Sequence, residues 1–338
     1  MRKLASIQRI EEVKPIEGAD FIVAYRVGGW WIVDRKDSYQ VGDLACYLEI
    51  DSFAPTSLAP FLSKGKEPRE YEGVRGERVR TIRLKGQISQ GLLLSIEHCF
   101  PDQDLSQFTE ELDVTEQLGI IKWERPIPLQ LRGQVKGNWP AGIPKTDEER
   151  IQSLTKYWDQ NRLLTYEVSE KVDGSSMTAG FFDNEFIVCS RNINLKETDS
   201  NRFWLTARKF MLEEKLLGLH MTNLVLQGEL LGPGIQGNPY QLEDYEIYVF
   251  SVFDQNTHQY LDPATRRQVV ADLGLNHVPI IHEEFSPSEM SVSDILLMAD
   301  GRSQITPSTI REGLVFKQVD GPVHWKAISN EFLLKNKD

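Results

Sequence analysis

Three cysteines in 338 residues, Cys46, Cys99 and Cys189, are too few and too scattered for a disulfide framework, and none share the short spacing of a zinc site. Long apolar runs are missing as well. Stretches such as residues 21–25 fall far short of the roughly 20 residues that a membrane-spanning helix needs, so no bilayer span is expected. The first residues carry charge but no apolar leader core before Glu11 and Glu12, which makes a reducing, cytoplasmic setting the expectation. Positive charge is in deficit: 38 Lys and Arg face 50 Asp and Glu, a net charge of −12. Indiscriminate coating of nucleic acid needs a broad basic surface, so that class is excluded, although a local basic groove is not. With 40% hydrophobic and 26% charged residues, disorder, collagen and simple coiled coils are ruled out, leaving a globular, two-domain protein.

What is present divides into two halves. Up to about residue 96, short β-branched and aromatic runs (21–25, 30–33, 44–50, 80–84 and 92–96) are punctuated by Gly, Asp and Pro. About five strands and one short helix over 57–62 suit a small closed barrel such as an OB fold. An acidic, polar stretch over 100–122 marks a boundary, placed near Gly119. Beyond it, helices are expected over 148–159, 201–219, 263–273 and 291–299. Strands are expected over 165–168, 177–182, 185–189, 223–227, 247–253, 313–317 and 323–326, which makes the second half α+β with mainly antiparallel sheets.

The strongest local signal is Glu170-Lys171-Val172-Asp173-Gly174, a lysine at a strand end followed by a tight polar turn. Alone it reads as a solvated strand-to-turn junction. Downstream come Arg191 after a strand, Glu229 at a strand end, an aromatic strand carrying Phe250 and Phe253, then Glu312 to Lys317, and finally Lys326. Singly, each is an ordinary strand-end charge or core aromatic; the ordered series is what carries weight. A lysine that attacks a phosphorus must be neutral, yet its free pKa is about 10.4, so cations or desolvation must lower it. Charge on a triphosphate calls for metal and basic side chains, carboxylates orient metal-bound waters, and an aromatic face accepts a base.

In this order the set is similar to motifs I, Ia, III, IIIa, IV and V of the covalent nucleotidyltransferases, the polynucleotide ligases and messenger RNA capping enzymes. Only twelve residues follow Lys326, so no C-terminal OB domain is expected, and a barrel precedes the transferase half instead. Residues 144–152, with Lys145 and Arg150 among Asp147, Glu148 and Glu149, read as a charged helix start ahead of motif I. With these features the chain resembles the ATP-dependent RNA ligases of the Naegleria type. The resemblance implies an N-terminal OB-like β-barrel over 1–119 and a nucleotidyltransferase domain over 120–338. It implies ATP with Mg²⁺ or Mn²⁺ as cofactors, RNA 3′-hydroxyl and 5′-phosphate ends as partners, in a nicked duplex among other forms, and a role in RNA repair.

Residue by residue, the resemblance makes Lys171 the nucleophile that becomes lysine-AMP, with Asp173 beside it and Glu170 at the adenine edge. It makes Arg191 and Glu229 the ribose and substrate contacts, Glu312 the motif IV carboxylate, and Phe250 or Phe253 the stacking aromatic. Asp173, Glu229 and Glu312 would hold the metal through waters. Lys317 and Lys326 would contact the α-phosphate and Arg150 the triphosphate. Strand alternation puts Phe250 and Phe253 on opposite faces, so only one stacks. Related ligases often carry two motif V lysines one residue apart, whereas here His324 and Ile328 flank Lys326 at that spacing; either His324 takes one role or Lys317 supplies the charge. A DNA ligase is disfavoured by the missing C-terminal domain, and a non-catalytic RNA-binding protein by the intact Lys171, Glu229, Glu312 and Lys326.

The barrel half has its own candidate surface. Over 64–85, eight basic residues (Lys64, Lys66, Arg69, Arg75, Arg78, Arg80, Arg83, Lys85) face four acidic ones, a local excess of four positive charges that reads equally as a phosphate-facing strip or a solvated hairpin edge. Trp30 and Trp31 are adjacent strand residues, so at least one belongs to the core.

Overall fold

A computed structural model of the chain describes residues 3–124, 133–219, 221 and 223–335. Two compact units emerge, one made of Met1–Pro126, Ile151–Asp159 and Leu333–Asp338, the other of Ile127–Arg150 and Gln160–Phe332. Among the described residues no helix is long and apolar enough to cross a membrane, and the three cysteines are free thiols.

The first unit is a barrel of short antiparallel strands. Ala5–Arg9, Leu44–Leu48 and Leu92–Leu94 form one sheet, and Glu12–Pro15, Ile22–Val27 and Trp30–Arg35 a meander. Ser52–Pro55 joins Val74–Arg78 to Ile121–Lys122, while Thr81–Leu84 and Gln87–Gln90 form a hairpin. The strand Leu44–Leu48 is buried on both faces. By alternation Cys46 and Leu48 enter one core with Ile7 and Leu94, while Ala45 and Tyr47 enter another with Tyr25, Trp30 and Ile32. With Arg69–Tyr71, which pairs with Val74–Arg78, the described residues of this unit form twelve strands where about five were expected; positive φ at Asp51 (70°) and Gly91 (128°) turns the chain between Leu44–Leu48 and Ser52–Pro55 and between Gln87–Gln90 and Leu92–Leu94. The helix expected over 57–62 is a 3₁₀ turn at Pro60–Ser63, with proline at its start. Trp30 is core, whereas Trp31 is half-buried with Lys14 Nζ 6.0 Å from its ring.

Among its described residues the second unit holds two mainly antiparallel sheets. In one, the order runs from Val135–Asn138 through Ile193–Leu195, Glu185–Cys189, Ser175–Phe182 and Leu224–Leu231 to Glu246–Asp254 and Gln259–Tyr260. In the other, Tyr166–Lys171 lies between Ile280–Phe285 and Gly313–Gln318, followed by His324–Ile328 and, in parallel, Glu149–Arg150. The first sheet buries its outer face (Leu224, Leu226, Leu230, Ile247, Val249) under Phe203, Trp204, Leu216 and Val270 of three helices, Arg202–Lys209, Leu212–Leu217 and Pro263–Asp272. The second buries Tyr166, Phe316 and Trp325 on one face, with the last two rings stacked at 3.9 Å. Its other face carries Lys171 and Lys326.

Two helix expectations change. The periodic stretch 148–159 becomes the short strand Glu149–Arg150, a 3₁₀ segment Ile151–Tyr157 and a single α turn Trp158–Asn161, because Arg150 is taken into the sheet edge. The stretch 201–219 splits at Met211, whose φ of 50° ends one helix and starts the next. Helix starts at Asp262-Pro263 and Ser291 occur as expected, each side chain accepting a backbone N–H of the first turn.

Candidate active site

Strand alternation sorts the second sheet into two chemistries. Glu167, Ser169 and Lys171 point one way, and their register partners Lys317 with His324, Val315 with Lys326, and Gly313 with Ile328 share that face. Tyr166, Val168 and Glu170 point the other way, into the apolar side. Lys171 therefore ends its strand one register step from Lys326, and the parallel pairing places Arg150 beside Lys326.

The chain then turns through Val172, Asp173 and Gly174 into Ser175–Phe182 of the other sheet. Gly174 is required there by space: a Cβ would lie 2.5 Å from Leu230 O and from Leu231 Cδ2, and 2.9 Å from Glu229 Cγ. The turn is held by two side chains that sequence reading missed. Tyr240 Oη accepts the Asp173 N–H at 2.8 Å, and Gln236 Nε2 donates to Gly174 O at 2.9 Å. Both come from the loop after Leu224–Leu231, and no local pattern marks them.

Lys171 Nζ donates to Glu312 Oε2 at 2.7 Å, and the two side chains are about a quarter and a sixth exposed (24% and 17%). Burial lowers the lysine's proton affinity, but Glu312, Glu229 and Asp173 together outweigh it, so the ammonium is favoured and the pKa lies above its ordinary value. Glu229 pays the opposite way: burial, with Glu312 and Asp173 nearby, pushes its pKa up to about 8 in spite of Lys171. On the other side of the lysine, burial brings Lys326 down to about 8, with Lys171 and Arg150 adding to the effect. Asp147, which the sequence reading placed in a helix start, bridges two cations, at 3.7 Å from Lys326 Nζ and 3.4 Å from Arg191 Nη2.

Lys171, Asp173, Glu229, Glu312, Lys326, Arg150 and Arg191 are thus brought to one region. Glu170 is not among them. Its carboxylate accepts Gln304 N at 2.7 Å on the opposite face of the strand, and burial pushes its pKa up. Lys317 lies one register step from Lys326 on the side away from Lys171, level with Glu167 and His324, and its ammonium donates to Phe250 O at 2.6 Å and Ser251 Oγ at 2.7 Å.

The two aromatics are separated by packing, not by alternation. Leu224–Leu231 pairs Gln227 with Ser251 and Gly228 with Val249, so Phe250 is an extra residue, a β-bulge, and the pleat resets after it. Phe253 is fully buried with Ile143, Ile187, Cys189 and Val225. Phe250 is half-buried beside Val172, Tyr240 and Val278, next to the nucleophile's own turn. His324 shares the Lys326 face but is exposed.

Comparison with known proteins follows this geometry. The RNA ligase family matches residues 164–335. The chain belongs to the RNA ligase family. An OB-fold domain matches residues 4–96. Among solved structures, Naegleria gruberi RNA ligase with pyrophosphate is 43% identical, with each chain covered in full (100%) and a TM-score of 0.90. A lysine-to-alanine variant of that enzyme with ATP and Mn is 42% identical over 99% of each chain, TM-score 0.91. A lysine-to-methionine variant with AMP and Mn is 43% identical over 100% of each chain, TM-score 0.92. A search of curated proteins returns no match. This chain is therefore an ATP-dependent RNA ligase by family, with an OB fold ahead of its catalytic unit.

Proposed function

We propose that this RNA ligase takes AMP from ATP onto Lys171 Nζ, passes it to an RNA 5′-phosphate, and lets an RNA 3′-hydroxyl displace it to form the phosphodiester. One observation carries the reading: Lys171 is paired to Glu312 among Glu229 and Asp173 on one side, with Lys326 and Arg150 next in register on the other. In the first step the amine forms a bond to the α-phosphorus while the bond to pyrophosphate breaks. Lys326 and Arg150 are the cations we assign to the phosphates, and Arg191 and Glu229 to the ribose. Phe250, facing the turn, is the adenine platform. The domain limits that go with this reading are 1–119 for the OB domain and 120–338 for the nucleotidyltransferase domain. Three free cysteines support an intracellular setting.

The ammonium form of Lys171 cannot attack, so its proton must leave as ATP is engaged. A divalent cation, of the kind bound with ATP in the Naegleria gruberi structures, would supply positive charge that lowers the lysine's pKa and neutralises phosphate oxygens. Asp173, Glu229 and Glu312 fit such an ion: their three carboxyl groups gather around Lys171, and a cation there would favour the ionised form of Glu229, whose pKa burial and its acidic neighbours raise. We assign the three carboxyl groups to a hydrated ion that they would hold through waters.

Incubation with ATP labelled at the α-phosphate and Mn²⁺, followed by a denaturing gel, tests the first step. Label retained by the wild type and absent from Lys171→Ala is expected; retention of label by Lys171→Ala rejects the assignment.

A further inference from the structure

We propose that Lys317 is a positioning residue for the base of ATP: its ammonium fixes the bulged Phe250 by bonding Phe250 O and Ser251 Oγ, and so sets the face on which adenine stacks. This rests on the reading of Phe250 as the adenine platform. Family resemblance had assigned Lys317 to the α-phosphate, and the geometry points elsewhere.

A bulge is where a strand is least determined by its own ladder, because the extra residue has no cross-strand partner and its side chain is re-aimed. Here the extra residue is Phe250, set opposite the step from Gln227 to Gly228. Gly228 supplies room for the fold of the bulge, since a Cβ would lie 2.7 Å from Tyr248 O. What remains is to choose one conformation among those open to an unladdered residue. Lys317 makes that choice from the opposing sheet, with Nζ 2.6 Å from Phe250 O, 2.7 Å from Ser251 Oγ and 5.4 Å from the centre of the Phe250 ring. Three contacts therefore converge on one bulge: two hydrogen bonds and a cation over the ring.

The placement of Lys317 is itself costly, which argues for a use. Burial, with Arg266 adding to it, brings its pKa down to about 7, against the opposing pull of Glu148 and Glu167. Glu167 is already held by Arg266 and Arg267. An apolar residue at 317 would fill the space without that penalty, but would leave Phe250 O and Ser251 Oγ without this donor. The inference is that the ammonium is kept for the bulge.

The test is a double-mutant cycle read by single-turnover formation of lysine-AMP against ATP concentration, with melting temperature as the fold control. Phe250→Ala and Lys317→Met are each expected to raise half-saturating ATP about tenfold, with limiting rates within about threefold of wild type, and the double variant to be no worse than Phe250→Ala alone. Additive losses, or a Lys317→Met that lowers the limiting rate and leaves half-saturation unchanged, overturn the proposal, because Lys317 then acts on the phosphates or on the fold at large. If Phe250→Ala leaves half-saturation unchanged, the stacking reading fails and the positioning role falls with it. Absence of lysine-AMP in the wild type would instead reject the proposed function. If Lys317→Met does not fold, Ser251→Ala replaces it in the cycle: about a threefold rise in half-saturation, lost in the Phe250→Ala background, supports the proposal, and no rise overturns it.

Discussion

Lys171 sits where its surroundings oppose its chemistry until charge is added. The Glu312 contact, with Glu229 and Asp173 near, keeps the amine protonated and therefore unreactive toward a phosphorus. Glu229 bears the matching burden, and its sign can be worked out. A carboxyl whose pKa rises from about 4.5 unfolded to about 8 folded binds more protons when folded between those values. Stability contributed by this group is thus present below about pH 4.5 and is lost as pH rises through 8. Glu229→Gln removes the titration, so the variant should gain on the wild type as pH climbs. We expect the difference in melting temperature to move in the variant's favour by at least about 2–4 °C between pH 5 and pH 8, each kcal/mol being worth about that much in a unit of this size. A difference that stays flat with pH would show that Glu229 is ionised throughout. Mn²⁺ at saturating concentration is expected to raise the wild-type melting temperature and to raise that of Asp173→Asn less, a thermal-shift readout independent of turnover.

The elements show why some of this was legible in the sequence and some was not. Lys171 ends its strand, Glu229 and Lys326 lie inside theirs, and Asp173 and Glu312 stand in the adjoining turns; their order along the chain is legible in the sequence, and the motif resemblance groups them into one site. The helix starts at Asp262 and Ser291 are legible locally. Tyr240, Gln236 and Asp147 are not, because each acts through a partner distant in sequence: Tyr240 reaches Asp173 across 67 residues. The bulge at Phe250 leaves no mark in composition, and it undoes an argument from alternation that would hold for a regular strand. Helical spacing over 148–159 misled because edge pairing of Arg150 with Lys326 outweighs propensity in so short a stretch. The turn offers an element-scale prediction. Gly174→Ala forces a Cβ to 2.5 Å from the Leu230 carbonyl oxygen. It should cost about 1–3 kcal/mol of stability in chemical denaturation and slow lysine-AMP formation at least about tenfold, since backbone cannot yield as a side-chain tip does. Unchanged stability and rate would mean that the turn relaxes freely.

At the scale of the whole molecule, a net charge of −12 has to coexist with an RNA substrate. The basic stretch over 64–85 of the barrel is less available than its composition implies. Arg78 is bonded to Asp51 at 2.8 Å and lies 3.9 Å over the Trp123 ring, Arg69 faces Glu77 at 3.7 Å, and Arg75 pairs with Glu67. Arg83 and Lys85 are exposed. With about three phosphate contacts, RNA affinity should fall about 10–100-fold between 50 and 200 mM salt, well below the loss of a protein that neutralises six or more. Arg83→Glu with Lys85→Glu should flatten that salt dependence; an unaltered slope would identify the strip as a solvated edge.

The chain passes between its two units four times, after residues 126, 150, 159 and 332. Each return is fitted closely. Gly29 N donates to Gln152 O at 3.1 Å where a Cβ at Gly29 would stand 2.7 Å from Gln152 Cα, Lys156 pairs with Glu110 and Glu111 at 3.2 and 2.8 Å, and Leu333 packs on the core of Tyr25 and Tyr47. In terms of inheritance, the barrel is not a cassette. A crossover in the gene near codon 126 would deliver a barrel short of two of its pieces and a catalytic unit with two strangers attached, so partners are not easily exchanged by recombination. The barrel is completed by segments the chain supplies only after residues 150 and 332, so a break in the gene at either point would part the barrel from pieces its own core uses.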